Sequence, residues 1–258
     1  MIYNYNGVLI HDSFADNMAF DYAYDAATGA NYTVIRVFQT KRDGTKQYPF
    51  LRYPGRMKTA DLVAAENWGL VINAGLGVSE AQPIDGVAIE NGVVKNNDPA
   101  TYHEGAIPLT INSSGVLSTA AVDATATSLV SSGIISATCG FCAIVEDYLP
   151  SASFPTVDNV THFTDNAQRQ IIGQWGNGDY AIVTCAGRDK ENSDGWTLAE
   201  AQTVCVKLGL KFAYNLDGGN STSTYLRKNK IHDNQIGTSR IIPSFIVFNG
   251  TTAFSIPT

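Results

Sequence analysis

Short apolar segments cut by Gly and Asn turns dominate the chain, with two or three windows of helical spacing between them. Tyr32-Thr33-Val34-Ile35-Arg36-Val37-Phe38 is rich in β-branched residues and predicts a strand. Thr59 to Trp68 predicts a helix: Thr59 can cap it, Leu62, Val63 and Glu66 follow at helical spacing, and Gly69 can end it. A short buried strand, Gly69 to Asn73, comes next. Val87 to Val94 reads as a β-hairpin, because Asn91-Gly92 supplies the positive φ angles of a type I′ turn. Ile107 to Leu117 repeats that pattern around Asn112-Ser113-Ser114-Gly115, and the Ala/Thr-rich stretch Ser118 to Ser131 predicts a further helix.

The second half is punctuated more sharply. Arg169 to Trp175 and Tyr180 to Cys185 are apolar runs flanking the turn Gly176-Asn177-Gly178-Asp179. Thr197-Leu198-Ala199-Glu200 is a capping box, in which Thr197 caps the helix and Glu200 reaches back to the cap's own N–H. Leu198, Ala201, Cys205 and Leu208 share one helical face, and Gly209 stops the helix. Strands are expected over Lys211 to Leu216 and Ile241 to Phe248. Many strands with few helices predict an α+β fold, a mixed, largely antiparallel central sheet flanked by a few helices. No repeat or linker divides the 258 residues, so a single domain is expected, with residues 1–30 as an N-terminal extension and 31–250 as its core.

Composition narrows the class. The chain is 44 % hydrophobic and 10 % aromatic, enough for a sizeable core and unlike a disordered chain. Its 17 basic and 24 acidic residues argue against a nucleic-acid surface, which needs clustered cations. The cluster Arg227-Lys228-Asn229-Lys230 reads as a solvated hairpin tip. No apolar run approaches the roughly 18 residues of a membrane span. The start, Met1 to Gly7, lacks the basic and apolar regions of a signal peptide. The expected location is therefore the cytoplasm or, given the low charge and the Thr/Ser/Asn/Gly richness, a bacteriophage virion. Four cysteines do not make a disulfide framework.

Local chemistry concentrates in Asn215-Leu216-Asp217-Gly218-Gly219-Asn220-Ser221-Thr222. A buried strand ends on an acid, and two glycines then let the backbone approach a ligand closely. Successive N–H groups in such a turn can form an anion nest beside two hydroxyls, which predicts a carboxylate and a phosphate cradle side by side. An ordinary Asp-Gly turn between strands would look the same locally.

Motifs across the chain resemble the phosphodiester glycosidase family. Ile72-Asn73-Ala74-Gly75 looks like its early Asn-Gly/Ala-Gly strand end, and Gly86 to Gly92 like the hairpin that follows. Arg169-Gln170-Ile171-Ile172-Gly173 is similar to its Arg-x-x-x-Gly strand, and Gly195 to Glu200 resembles its Gly-x-x-Leu-x-Glu helix start. Asn215 to Ser221 resembles its Asn-Leu-Asp-Gly-Gly-Gly-Ser signature, and Arg240-Ile241-Ile242-Pro243 sits where the family has a late Arg. Three positions depart from the pattern: Leu76-Gly77 follows the strand end in place of aromatics, Asn220 replaces the third Gly, and Ala186-Gly187-Arg188 replaces an Asp-Gly-Arg segment. These departures bear on the substrate more than on the fold.

The resemblance implies hydrolysis of the bond between a sugar C1 and a phosphodiester. The leaving phosphate monoester has a second pKa of about 6, so it departs without a strong acid. Stabilising an oxocarbenium-like sugar and activating water remain. The expected catalytic carboxylates are Asp217 and Glu200, although the capping box explains Glu200 locally. Arg169 and Arg240 are the expected phosphate clamps, since guanidinium binds phosphate bidentately. Asn73, Gly75, Gly218, Gly219, Asn220, Ser221 and Thr222 complete the expected binding set. The expected partner is a sugar phosphate or phosphoglycan, such as a phosphate-linked wall glycopolymer, with no nucleic acid or membrane. No cofactor is expected, with a divalent cation as the open alternative. Asp189 to Gly195 with Glu200 faintly resembles a calcium loop but has Asp194 where Gly is required. Two rivals remain: a virion module that binds glycans without turnover, and a thiol oxidoreductase using Cys139 and Cys142. Among the histidines, His103 and His232 lie in polar loops from which either could reach a cleft.

Overall fold

A computed structural model describes residues 2–3, 9–11, 17–41, 43–55, 57–66, 68–77, 84–159, 163–188, 192–226, 229–233 and 240–249. Every strand pairing among them is antiparallel. The three α-helices among the described residues are short: α1 (Thr59–Ala65), α2 (Ala126–Ser131) and α3 (Leu198–Lys207). The expected α+β balance thus shifts toward β, and the expected mixed sheet becomes three larger antiparallel ones.

The largest sheet has seven strands, in the order Leu149–Pro150, Cys142–Glu146, Phe212–Asn215, Arg169–Gln174, Tyr180–Cys185, Ala30–Val37 and Met18–Asp25. Both its faces are covered, so its inner strands read as continuous apolar runs. Ile172 and Ile182 face a core shared with the other two sheets, through Leu70 and Ile72 on one and Leu109 and Ile111 on the other. Ile171 and Val183 point the opposite way, toward Leu198, Ala201 and Cys205 of α3. The second sheet, of five strands, is built around Trp68–Asn73, with α1 on its outer face. The third, also of five strands, is built around Ile134–Cys139 and carries α2 outside. Three sheets enclose one core, and among the described residues each supports a single α-helix.

Several elements match their sequence signals. Asn91 and Gly92 have φ of 48° and 77°, as a type I′ turn requires. The α3 capping box is complete, and Gly209 follows the helix with φ of 70°. Leu208 is half-buried and caps the end, while Val204 takes its place on the buried face.

Others end elsewhere than predicted. Helix α1 stops at Ala65 because Glu66 turns extended, pairs with Arg52 at 2.6 Å and accepts the Trp68 indole N–H. Trp68 then already belongs to the sheet. Thr59 lies inside α1 rather than at its cap, and its hydroxyl bonds Ser223. In the Ser118 to Ser131 stretch only Ala126–Ser131 is helical, capped by Thr125, because Leu117–Thr119 pairs with Pro108–Asn112. Ile241 to Phe248 is two strands, Ile241–Ile242 and Phe245–Asn249, broken at Pro243-Ser244. The tip residues Arg227 and Lys228 lie outside the described residues, between the paired Leu226 and Asn229.

Candidate active site

The ends of all three sheets converge around Asp217. Its backbone N–H donates to the Ala74 carbonyl, just past the strand Trp68–Asn73. Leu76 in turn donates to Cys139 at the end of the third sheet, and Gly219 donates to Gln168 before the strand Arg169–Gln174. These links place Asp217 in a cleft of about 330 Å³, lined also by His103, Phe141, Arg169, Arg188, Asn220 and Arg240.

Asp217 is half-buried at the mouth of that cleft. Burial raises its carboxyl above the ordinary range, opposed by the Ser221 hydroxyl, Arg240, the Gly218 N–H and His103. A carboxyl pushed up by burial and held by specific partners in a cleft marks a candidate functional group.

The glycine turn is shaped for packing rather than for an anion. The Asp217 and Gly219 N–H groups bond Ala74 and Gln168, and those of Ser221 and Thr222 bond Gly218 and Gly219. The Gly218 N–H serves the Asp217 carboxylate. The expected backbone phosphate nest is therefore corrected: these donors are consumed inside the fold. Gly218 is required because a Cβ there would lie 2.8 Å from the Gln168 carbonyl oxygen, and Gly219 because its φ is 53°. Gly75 is a packing glycine too, since a Cβ would stand 2.7 Å from the Cys139 carbonyl oxygen.

Positive charge in the cleft comes from side chains. Arg169 is buried, with its Nε donating to the Trp196 carbonyl at 2.8 Å and a terminal nitrogen to the Asp165 carbonyl at 2.9 Å. Burial pushes its guanidinium down to about 10, so it remains charged at neutral pH. Arg240 and Arg188 complete a three-guanidinium wall. Arg188 lies beside Gly219 and has a φ of 54°. Holding a non-glycine residue there costs on the order of 1 kcal/mol, a strain that collects at functional sites.

Of the expected site residues, Asp217, Arg169, Arg240, Gly218, Gly219 and Asn220 line the cleft. Asn73 is fully buried behind it: its Nδ2 donates to the Asp217 carbonyl at 2.6 Å and its Oδ1 accepts from the Ser223 N–H at 2.9 Å. Its place is that of a staple holding the Asp217 turn against the second sheet. Ser221 and Thr222 are buried in the same turn. Glu200 is not among the cleft-lining residues. Its Oε2 accepts from the Thr197 N–H at 2.7 Å and the Thr197 hydroxyl at 2.9 Å, closing the capping box, and its charge acts on Arg169.

Asp85 and Arg188 join the site without having been expected there. His103, expected in a polar loop from which it could reach a cleft, lines this one. The structure buries the His103–Asp85 pair, with Nδ1 2.9 Å from Asp85 Oδ2. Burial alone would raise the Asp85 carboxyl, but the Thr101 and His103 N–H groups, the imidazole and the Tyr102 N–H bring it below the usual range. An ionised Asp85 keeps the proton on Nδ1 and leaves Nε2 as the acceptor. The one local signal was Asp85-Gly86 before the first hairpin.

The rival dithiol reading is corrected. Cys139-Gly140-Phe141-Cys142 carries the chain from the third sheet to the seven-stranded one, with both cysteines buried. Burial raises both thiols to about 12, the opposite of a reactive thiolate. Residues 189–191 of the calcium-like loop lie outside the described residues. No group of three His, Cys, Asp or Glu is arranged to hold a metal among the described residues.

A family model described as phosphodiester glycosidase matches residues 66–249. No curated protein matches the sequence. Among solved structures, the chain is similar to the catalytic domain of zebrafish N-acetylglucosamine-1-phosphodiester alpha-N-acetylglucosaminidase, auto-inhibited by its pro-peptide. That likeness has 14 % identity and a TM-score of 0.69, covering 91 % of this chain and 82 % of that one. A hypothetical protein from Synechocystis shares the fold at 14 % identity and a TM-score of 0.64, over 90 % of this chain and 62 % of its own. The family match spans most of the chain and both ends of the cleft's framework, from the Trp68–Asn73 strand to the last strand, and so this chain belongs to the phosphodiester glycosidase family.

Proposed function

We propose that the protein hydrolyses a glycosyl phosphodiester, breaking the bond between the sugar C1 and the phosphate oxygen. The observation that carries this reading is the composition of one cleft: a half-buried carboxyl, a carboxylate-backed imidazole and three guanidiniums. The family membership and the likeness to the zebrafish enzyme's fold support the same chemistry.

The arginines suit the phosphate, because guanidinium pairs with it bidentately and stays charged. As the C1–O bond breaks, its electron pair leaves with the phosphate. Positive charge then develops at C1 and the ring oxygen, and ionised Asp217 stabilises it. The attacking water loses its proton to His103 Nε2, and Asp85 stabilises the imidazolium that forms. The phosphate monoester needs no strong acid to depart. A phosphate-linked wall glycopolymer is a substrate of this chemical class.

Hydrolysis in heavy-oxygen water tests the reaction class. Using an N-acetylglucosaminyl α-phosphodiester, C1–O cleavage places the label in the sugar. Label in the phosphate would mean P–O cleavage and overturn the reading. Binding of this diester with no turnover would favour the binding-only alternative.

A further inference from the structure

The strand Tyr180–Cys185 leads into a loop, residues 186–196, that carries Arg188 into the cleft and ends just before α3. Its described parts, 186–188 and 192–196, lie side by side. The Arg188 N–H donates to the Asp194 carbonyl at 3.4 Å, and a Cβ on Gly187 would stand 2.7 Å from the Gly195 Cα. The guanidinium reaches the glycine turn: a Cβ on Gly219 would lie 3.5 Å from one of its terminal nitrogens. Beyond burial, the charge of Arg188 also lowers the Arg169 guanidinium, so two cations share a space that an anion would neutralise.

What fixes Arg188 lies behind the cleft. Cys185 pairs with Tyr32, and one residue further the Ala186 N–H donates to the Asn31 carbonyl at 2.9 Å. In an antiparallel ladder the same two residues would exchange a second bond, from the Asn31 N–H to the Ala186 carbonyl. Here the Ser193 hydroxyl stands between those two groups. It accepts from the Asn31 N–H at 2.9 Å and donates to the Ala186 carbonyl at 2.8 Å. The inserted oxygen holds the rung open where the chain leaves the strand, just before Arg188 takes its left-handed φ of 54°.

The far side of the loop is fastened to the same stretch, residues 28–31. Asn31 Nδ2 donates to the Asn192 carbonyl at 3.3 Å, the Asp194 N–H to the Gly29 carbonyl at 3.2 Å, and the Trp196 indole to the Thr28 hydroxyl at 3.0 Å. Ser193 is 2 % exposed and is not among the cleft-lining residues, so it can act on a ligand only through a neighbour. Arg169 is held separately, by the Trp196 carbonyl. The neighbour that a lost rung displaces first is therefore Arg188, two residues from Ala186.

We propose that Ser193 is a positioning residue, whose hydroxyl sets Arg188 against the phosphate ester bound in the cleft. The inference rests on the reading of this cleft as a phosphate-ester site. Without the hydroxyl, Asn31 and Ala186 can close the rung directly, which keeps the fold and draws Gly187 and Arg188 toward the strand end. The guanidinium then loses its place beside Gly219.

The test is binding of inorganic phosphate to the full chain at neutral pH, titrated by phosphorus NMR, for wild type, Ser193→Ala, Arg188→Ala and the double variant. Wild type is expected to bind. Arg188→Ala should weaken binding about tenfold or more, the scale of a charged hydrogen bond, and Ser193→Ala about threefold or more. In the Arg188→Ala background the serine change should matter by less than about 1.5-fold, a coupling that a merely structural role would not give. Should Ser193→Ala fail to fold, Asn31→Ala, which releases the Asn192 carbonyl, carries the same comparison with an expected loss of about twofold or more. No binding by wild type, unchanged binding in the folded variant, or an equal loss with and without Arg188 would each overturn the proposal. Hydrolysis is read separately by the oxygen label, and its absence in a chain that binds phosphate this way would fall on the proposed function alone.

Discussion

At the scale of single residues, the cleft is a place where stability is given up. Burial raises the Asp217 carboxyl in the folded chain above its ordinary value of 3.8. Folding therefore takes up a proton between that value and the raised one. Stability from this group is fully present below the ordinary value and is lost as pH rises through the folded one. Asp217→Asn has no such loss, so its stability relative to wild type should grow from about pH 4 to about pH 7. Urea unfolding at both pH values checks this, and a pH-independent difference would contradict it. The His103–Asp85 pair makes a kinetic prediction. His103→Ala should lower kcat by about 10²–10⁴-fold, the range of a lost general base. Asp85→Asn should lower it on the same scale, because an amide can hold the imidazole in the opposite tautomer, with Nε2 protonated. Pre-steady-state and pH–rate measurements on both would show it. Equal rates in wild type and His103→Ala would remove the imidazole from the mechanism.

At the scale of elements, α3 separates a cap from a catalyst. Glu200 completes its capping box, and glutamine can replace it there. Glu200→Gln should keep turnover within about twofold, whereas Thr197→Ala should cost about 1 kcal/mol of stability. A large loss of turnover in Glu200→Gln would restore it to the chemistry. The same helix shows why some elements were legible in the sequence: its cap, its buried face and Gly209 are all local signals. The hairpin at Asn91-Gly92 and the paired strands Arg169–Gln174 and Tyr180–Cys185 were legible for the same reason. The ends of α1 and the stretch before α2 were not, because sheet pairing decides them. Trp68 leaves helical spacing to pair across the sheet with Asn249, and Leu117–Thr119 is claimed by Pro108–Asn112. No window along the chain contains those partners.

At the scale of the whole molecule, three sheets close one core and bring their ends together at the cleft. Because Ile172, Ile72 and Leu109 share that core, the sheets should unfold together. Far-ultraviolet circular dichroism and tryptophan fluorescence are expected to give coincident urea transitions, and separated midpoints would show that one sheet melts alone. This convergence also explains what the sequence could reveal of the site. Asp217-Gly218-Gly219 carries its signal in adjacent residues, and Arg169 and Arg240 were reached through motif resemblance. Asp85 and His103 are 18 residues apart and meet only through the fold. Arg188 comes to Gly219 through a strained backbone that no spacing announces. The anion nest failed for a related reason: the N–H groups of Asp217 and Gly219 are taken by the Ala74 and Gln168 carbonyls beside neighbouring strands, and those of Ser221 and Thr222 by carbonyls within the turn.

The proposed hydrolysis turns on Asp217 acting at a sugar joined to phosphate. Its most direct test is release of free sugar from an N-acetylglucosaminyl α-phosphodiester by wild type and Asp217→Asn, both shown to be folded. Turnover is expected in the wild type, with a loss of at least about 10³-fold in the variant, the scale of one lost transition-state charge contact. An Asp217→Asn protein that hydrolysed the diester as fast as the wild type would contradict it.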